Sequence, residues 1–237
     1  MITSLENKTV KELYKLHQKK YRTDHFLLLN EELILKALEA DKLERLIYTG
    51  EKPFDFDNVL EVSQEVLDKI AKKEGLSYIG VGKRIKEKKD YGKRVILLDH
   101  LQDPLNIGRI MESCLLFGYD SLIISRGSAD IYNEKCLENS KGGIYSLNIS
   151  HGDLIEEIDN LKKEGFMVYA TGLKDNTKEL HELDKSEKMA FVLGNEGSGV
   201  SEEVMNKADY IVKIDMCNID SLNVAMAASI CMYEFSR

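Results

Sequence analysis

Glu196 lies at the tip of a glycine-rich turn in the stretch FVLGNEGSGVS, residues 191–201. Gly194, Gly197 and Gly199 let that backbone bend sharply and approach a ligand closely, as residues carrying a Cβ cannot. A second stretch, IVKIDMCNIDSLNVAMAASICMYE at 211–234, reads as the end of a strand, a polar loop and a helix opening at Ser221. Asp220 or Ser221 can cap that helix, whose free N–H groups attract an anionic or carbonyl group. Ala225, Ala227 and Ala228 keep the helix narrow enough to pack closely. Strand, glycine turn, strand, polar loop and capped helix in succession form the means by which an α/β domain builds a cofactor site.

The elements that must position these residues follow from the apolar pattern. VILLD at 95–99 is a continuous apolar run, as a strand covered on both faces of a parallel sheet requires. A helix over 107–117 follows, with Asn106 as N-cap and Gly118 as its stop. Strands at 121–125, 145–149, 166–171, 190–193 and 210–214 alternate with helices at 131–137 and 153–163. Ahead of this series, strands at 25–29, 43–49, 59–63 and 77–82 alternate with helices at 31–40 and 64–73, enough for a small α/β sandwich. Residues 8–20 form a basic amphipathic helix with Val10, Leu13, Tyr14 and His17 at helical spacing. The expected organisation is a small domain at 1–82, a charged linker at 83–93 and a larger α/β domain at 94–237.

Composition narrows the function. The chain has 237 residues and a net charge of −8, and the acidic excess falls on residues 94–237. Residues 1–93 hold slightly more Lys and Arg than Asp and Glu, so an RNA partner finds more of its phosphate contacts there. No apolar run approaches the roughly 18 residues that span a bilayer, so no membrane partner is expected. The N-terminus is unlike a signal peptide. Cys114, Cys136, Cys217 and Cys231 lie far apart, a pattern of reduced thiols in the cytoplasm and not of a disulfide framework or a zinc site. Five histidines show no metal-ligand spacing, so no metal is expected. The glycine turn lacks the Lys-Ser/Thr of a P-loop, no dinucleotide fingerprint follows the first strand, and no serine-hydrolase elbow occurs.

Three motifs, in order, carry a resemblance: DPLNIGRIMESCLLFG at 103–118, LGNEGSGVS at 193–201 and SLNVAMAASICMYE at 221–234. Residues 94–237 resemble the SPOUT superfamily, in particular the SpoU-type enzymes that methylate the 2′-hydroxyl of RNA ribose. Residues 20–82 are more weakly similar to the small RNA-binding domain, related to a ribosomal-protein fold, that often precedes them. The resemblance implies an α/β fold whose parallel sheet ends in a C-terminal trefoil knot, S-adenosylmethionine as cofactor, rRNA or tRNA as substrate, and a homodimer.

Carried over by position, Thr171, Gly172, Leu193, Gly194, Gly199, Ile214, Met216, Ser221 and Leu222 would hold the cofactor. Asn106, Arg109, Glu196, Ser221 and Asn223 would line the reacting end. Methyl transfer needs a hydroxyl placed in line with the donor and relieved of its proton, work suited to orienting amides and a tethered carboxylate. The chain departs from the family at three places. Glu112 stands where an arginine is usual, six residues after Asn106, with Arg109 one helical turn before it. Glu138 replaces a second arginine, and Ile214-Asp215-Met216 replaces I-P-M. Two functions follow: an active RNA ribose 2′-O-methyltransferase with Arg109 in the missing arginine's place, or a catalytically weak relative that binds RNA and cofactor.

Overall fold

Apolar runs bounded by turn residues build two separate sheets, seen in a computed structural model that describes residues 1–172, 177–183, 185–217 and 222–236. The chain divides into two units, Met1–Lys86 with Asp130–Tyr145, and Glu87–Ala129 with Ser146–Arg237.

In the first unit, α1 (Lys8–Lys15) precedes β1 (His25–Leu28), α2 (Glu31–Glu39), β2 (Leu43–Tyr48), β3 (Val59–Glu61), α3 (Gln64–Ala71) and β4 (Tyr78–Lys83). The four strands form a sheet in the order β1-β4-β2-β3. β4 runs antiparallel to both β1 and β2, and β2 pairs parallel with β3. Each helix starts on a polar side chain: Asn7, Asn30 and Ser63 accept from the backbone N–H groups of Thr9, Leu33 and Val66. Val10 and Leu13 of α1 pack with Val66, Leu67 and Ile70 of α3 over Ile47, Ile79 and Val81 of the sheet.

The second unit opens with β5 (Arg94–Asp99), α4 (Pro104–Phe117) and β6 (Ser121–Ser125). The chain then forms α5 (Glu134–Asn139) and α6 (Gly143–Ser146), most of which packs with the first unit. It continues as β7 (Asn148–Gly152), α7 (Leu154–Lys163), β8 (Met167–Thr171), β9 (Lys178–Glu179), β10 (Met189–Gly194), α8 (Glu202–Met205), β11 (Tyr210–Lys213) and α9 (Val224–Ser236). Seven strands form one sheet in the order β7-β6-β5-β10-β8-β11-β9, and every pairing in it is parallel. β10, buried along its whole length, enters between β5 and β8. Phe235 near the end of α9 packs edge-on against Tyr169 and Phe191, fastening the last helix to the sheet.

Several boundaries differ from the sequence expectation. Asp103, not Asn106, caps α4: its Oδ1 accepts from Leu105 N at 2.9 Å, and Pro104 occupies the first turn, where its missing N–H costs nothing. The helix expected at 131–137 forms at Glu134–Asn139, and the strand expected at 145–149 forms at Asn148–Gly152. Gly142, at φ +82°, turns the chain into the extra helical turn α6 before the strand can begin. The stretch 83–93 is not a free tether. Tyr91 is buried with Leu154 and Phe166 and donates to the buried Glu157, which Lys89 Nζ also approaches at 3.1 Å.

Asp130–Tyr145 is held in the first unit by pairs far apart in sequence. Arg22 donates from Nε and Nη2 to Asp130 Oδ2 at 3.0 and 2.7 Å, with the two side chains only 5% and 11% exposed. His17 is bonded to Glu134 and, through Nε2, to the Ile70 carbonyl at 2.7 Å. Arg84 lies over the Tyr132 ring, 4.3 Å from its centroid. Among the described residues no helix is long and apolar enough to cross a membrane.

Candidate active site

Three loops meet at the carboxyl ends of β5, β10 and β11, where an open parallel sheet leaves room for a ligand. The loop after β10 closes on itself: Asn195 and Gly199 exchange N–H···O bonds of 3.0 and 2.9 Å. Inside it, Asn195 Oδ1 accepts from Gly197 N at 2.9 Å and Ser198 N at 3.2 Å, a side-chain mimic of a backbone turn. Its Nδ2 donates to the His100 carbonyl at 2.8 Å. Asp99, 2% exposed at the end of β5, accepts from Ser201 N at 2.8 Å and bonds His100 Nδ1 at 2.7 Å. Gly194 is required by its neighbours. A Cβ there would lie 2.0 Å from Gly199 C and Val200 N, so the strand end and the returning loop touch backbone to backbone.

This scaffold holds Glu196 against the start of α4. Its Oε1 accepts from Asn106 Nδ2 at 3.0 Å and Asp103 N at 3.2 Å, and its Oε2 accepts from Gln102 N at 3.3 Å. Partial burial pushes the Glu196 carboxyl up, but the Asn106 amide and the backbone N–H groups of Glu196, Gln102 and Asp103 outweigh it. The carboxyl therefore sits below its ordinary range and is ionised at neutral pH. Asn106 is 3% exposed and spends its carbonyl on Asn223 Nδ2, at 3.1 Å. Asn223 in turn accepts from Ala225 N at 2.9 Å and Met226 N at 3.4 Å, so it caps α9. The cap was expected at Asp220 or Ser221, both of which lie outside the described residues. One chain of hydrogen bonds thus joins the glycine turn, α4 and α9.

Beside this chain opens a cavity of about 870 Å³, enough for a nucleoside-sized ligand. Of the residues expected to hold cofactor, Thr171, Gly172, Gly194, Gly199, Ile214, Met216 and Leu222 line it. Leu193 does not; it is fully buried in β10. Ser221 lies outside the described residues. Glu196 is on the cavity wall, whereas Asn106 and Asn223 stand behind it as supports. Val212 and Met205 add apolar wall that the motifs did not single out, and Lys213 and Glu202 add charge. Thr171 Oγ1 donates to the Val192 carbonyl at 3.1 Å and Gly172 N to the Val212 carbonyl at 3.0 Å, which fixes the far side.

Arg109 is exposed on α4 and makes no ion pair with the half-buried Glu112 among the described residues. Glu138 is exposed on α5, in the first unit. Sequence reasoning also missed the grouping of Glu179, His181 and Asp215, whose ligand atoms lie within 4.8 Å of one another. Lys213 Nζ sits 3.6 Å from Glu179 and 3.8 Å from Asp215 and supplies the cation for that cluster. Asp99 and Asn195 were missed as well. The available signal was their position: a polar residue ending an otherwise apolar parallel strand faces the ligand side of the sheet.

A parallel α/β sheet with a glycine loop, a tethered carboxylate and a nucleoside-sized cavity at its strand ends defines a nucleotide-type cofactor domain. The profile of the SpoU rRNA Methylase family matches residues 93–233. A 23S rRNA (guanosine(2553)-2′-O)-methyltransferase, RlmP of Bacillus subtilis (strain 168), is 31% identical over 243 residues, covering 98% of both chains. A solved rRNA methyltransferase from Sinorhizobium meliloti, with AdoMet bound, superimposes with a TM-score of 0.89 at 25% identity, over 99% of this chain and 96% of that one. The chain belongs to the SpoU rRNA methylase family.

Proposed function

We propose that the protein is an S-adenosylmethionine-dependent methyltransferase acting on a ribose 2′-hydroxyl of rRNA or tRNA. The observation that carries this reading is the hydrogen-bonded chain Glu196–Asn106–Asn223 at the edge of the cavity. The donor set fits the cofactor: apolar Ile214, Met216 and Leu222 suit an adenine ring, and the loop around Gly199 brings backbone close to a ligand. When bound, S-adenosylmethionine supplies the electrophilic methyl group. Glu196, kept ionised by the Asn106 amide and the backbone N–H groups of Glu196, Gln102 and Asp103, serves as a fixed negative tether and not as a strong base. Asn106 and Asn223 hold it in place.

Further parts of the reading rest on the resemblance of the three motifs to the family. Ser221, Arg109 and Thr171 belong to the reacting end and the cofactor wall, and the C-terminal strands and helix are threaded as a trefoil knot. The first unit contacts RNA, and the protein works in the cytoplasm. Leu115, Leu116, Met226, Ile230 and Tyr233 of α4 and α9 are 37–71% exposed, apolar surface that supports a two-fold dimer. Calorimetry tests the core of the proposal: S-adenosylmethionine should bind at micromolar Kd, about −8 kcal/mol. Binding undetectable at millimolar cofactor would remove it.

Glu112 favours a second reading, an RNA- and cofactor-binding protein with little catalysis, because a carboxylate repels phosphate where the family has arginine. Single-turnover transfer separates the two. In an active enzyme Arg109→Ala lowers the rate about tenfold or more with cofactor affinity unchanged. In a binding protein only Glu112→Arg transfers methyl.

A further inference from the structure

Four lysines of the first unit gather over two tyrosine rings. Lys69 and Lys72, at the end of α3, each place Nζ 4.8 Å from the centroid of Tyr14 on α1. Lys15 and Lys20 place theirs 5.4 and 4.9 Å from the centroid of Tyr21. Tyr14 and Lys15 are consecutive in the last turn of α1, so both groups lie at the same end of that helix. The other lysines of α1 are neutralised, Lys8 by Glu12 and Lys11 by Glu6. Lys15, Lys20 and Lys72 have no carboxylate partner among the described residues, and Lys69 shares the exposed Glu6 with Lys11. In a chain of net charge −8, this is a local excess of positive charge. Ring faces attract ammonium groups, and a bound polyanion offsets their mutual repulsion.

We infer that this face is a second RNA-contacting surface, in which the lysines take backbone phosphates and Tyr21, 39% exposed, stacks on an unpaired base. The inference rests on the reading of the protein as one that acts on RNA and adds where, beyond the cofactor cavity, RNA is held. Charge complementarity selects a polyanion. The aromatic ring selects a nucleic acid with exposed bases, because every base has a face that stacks on tyrosine. A membrane surface fits less well. The apolar side chains of α1, Val10 and Leu13, are buried against α3 and offer nothing to insert.

The test compares the full chain with the variant Lys15→Gln/Lys20→Gln/Lys69→Gln/Lys72→Gln and with Tyr21→Ala. The probes are a labelled RNA hairpin carrying a single-stranded extension, the same RNA as a complete duplex, and phosphatidylserine vesicles. Affinity is read across a salt series. The quadruple variant should lose about 3 from the slope of log K against log salt, at roughly 0.7 per phosphate contact on a single strand. Tyr21→Ala should weaken the extended hairpin about tenfold and leave the duplex unchanged. Both variants should keep wild-type affinity for S-adenosylmethionine, which reports on the second unit. If wild type binds the hairpin and the quadruple variant binds it equally with the same slope, the surface is only a solvated face and the inference is overturned. Vesicle binding that the quadruple variant abolishes, with RNA binding intact, overturns it in favour of a membrane. If wild type binds no RNA at all, the functional reading itself fails.

Discussion

Asn106 Nδ2 donates to Glu196 Oε1 at 3.0 Å across 90 residues of sequence, and this bond holds the glycine turn to helix α4. The amide is almost fully buried, and its other end is committed to Asn223. Asn106→Ala therefore removes both bonds at once, leaving Glu196 with only its backbone donors and Asn223 Nδ2 without its acceptor. Urea denaturation should show a loss of about 1–3 kcal/mol, and single-turnover methyl transfer should fall at least tenfold. Unchanged turnover would mean that the chain of bonds shapes the loop without serving the reaction.

The same bond sets a pH dependence. A carboxyl held below its ordinary range contributes stabilisation that is complete above the unfolded value and is lost as pH falls through the folded one. Cofactor affinity should therefore be flat through neutral pH and decline only below the ordinary glutamate pKa of about 4.3. In Asn106→Leu, one of the opposing donors is gone and the partial burial remains, so the decline should begin at higher pH. Equal midpoints for the two proteins would show that Asn106 does not tune Glu196.

Two glycines in one loop should behave oppositely. A methyl group on Gly194 meets backbone atoms at 2.0 Å, whereas on Gly197 its nearest neighbour is Asn195 Oδ1 at 3.5 Å. Gly194→Ala should lower the melting temperature and cut S-adenosylmethionine affinity at least tenfold; Gly197→Ala should be close to wild type. Calorimetry and a thermal melt on each decide it, and a tolerant Gly194→Ala would contradict the close backbone approach.

The Arg22–Asp130 pair ties a segment from the middle of the chain into the first unit. Removing either partner strands a buried charge, at a cost of about 3–5 kcal/mol. Arg22→Met with Asp130→Leu should recover much of that loss, since apolar replacement removes both desolvation penalties. Urea midpoints for the two single variants and the double variant measure it. Single variants within error of wild type would show that the pair is dispensable.

The second unit was largely legible because its strands are apolar on both faces and its glycine, Asn106 and Asn223 motifs are local. The relations among those motifs were not. Asn223 as the helix cap, Asp99 as the anchor of Ser201, and Gly194 as a backbone contact all depend on β10 entering between β5 and β8, a nonlocal pairing that periodicity does not encode. The shift of strand β7 came from one turn at Gly142, a local choice that apolar spacing passes over. The placement of Asp130–Tyr145 was hidden for the same reason as the Arg22 pair that fixes it, since a single sequence does not reveal which distant charges meet.

The most direct measurement of the central claim is mass spectrometry of ribose methylation in rRNA and tRNA from cells with and without this gene, complemented by wild type and by Glu196→Ala. The account predicts one 2′-O-methylated nucleotide that disappears on deletion, returns with wild type and stays absent or strongly reduced with Glu196→Ala. Identical methylation maps with and without the gene would contradict it.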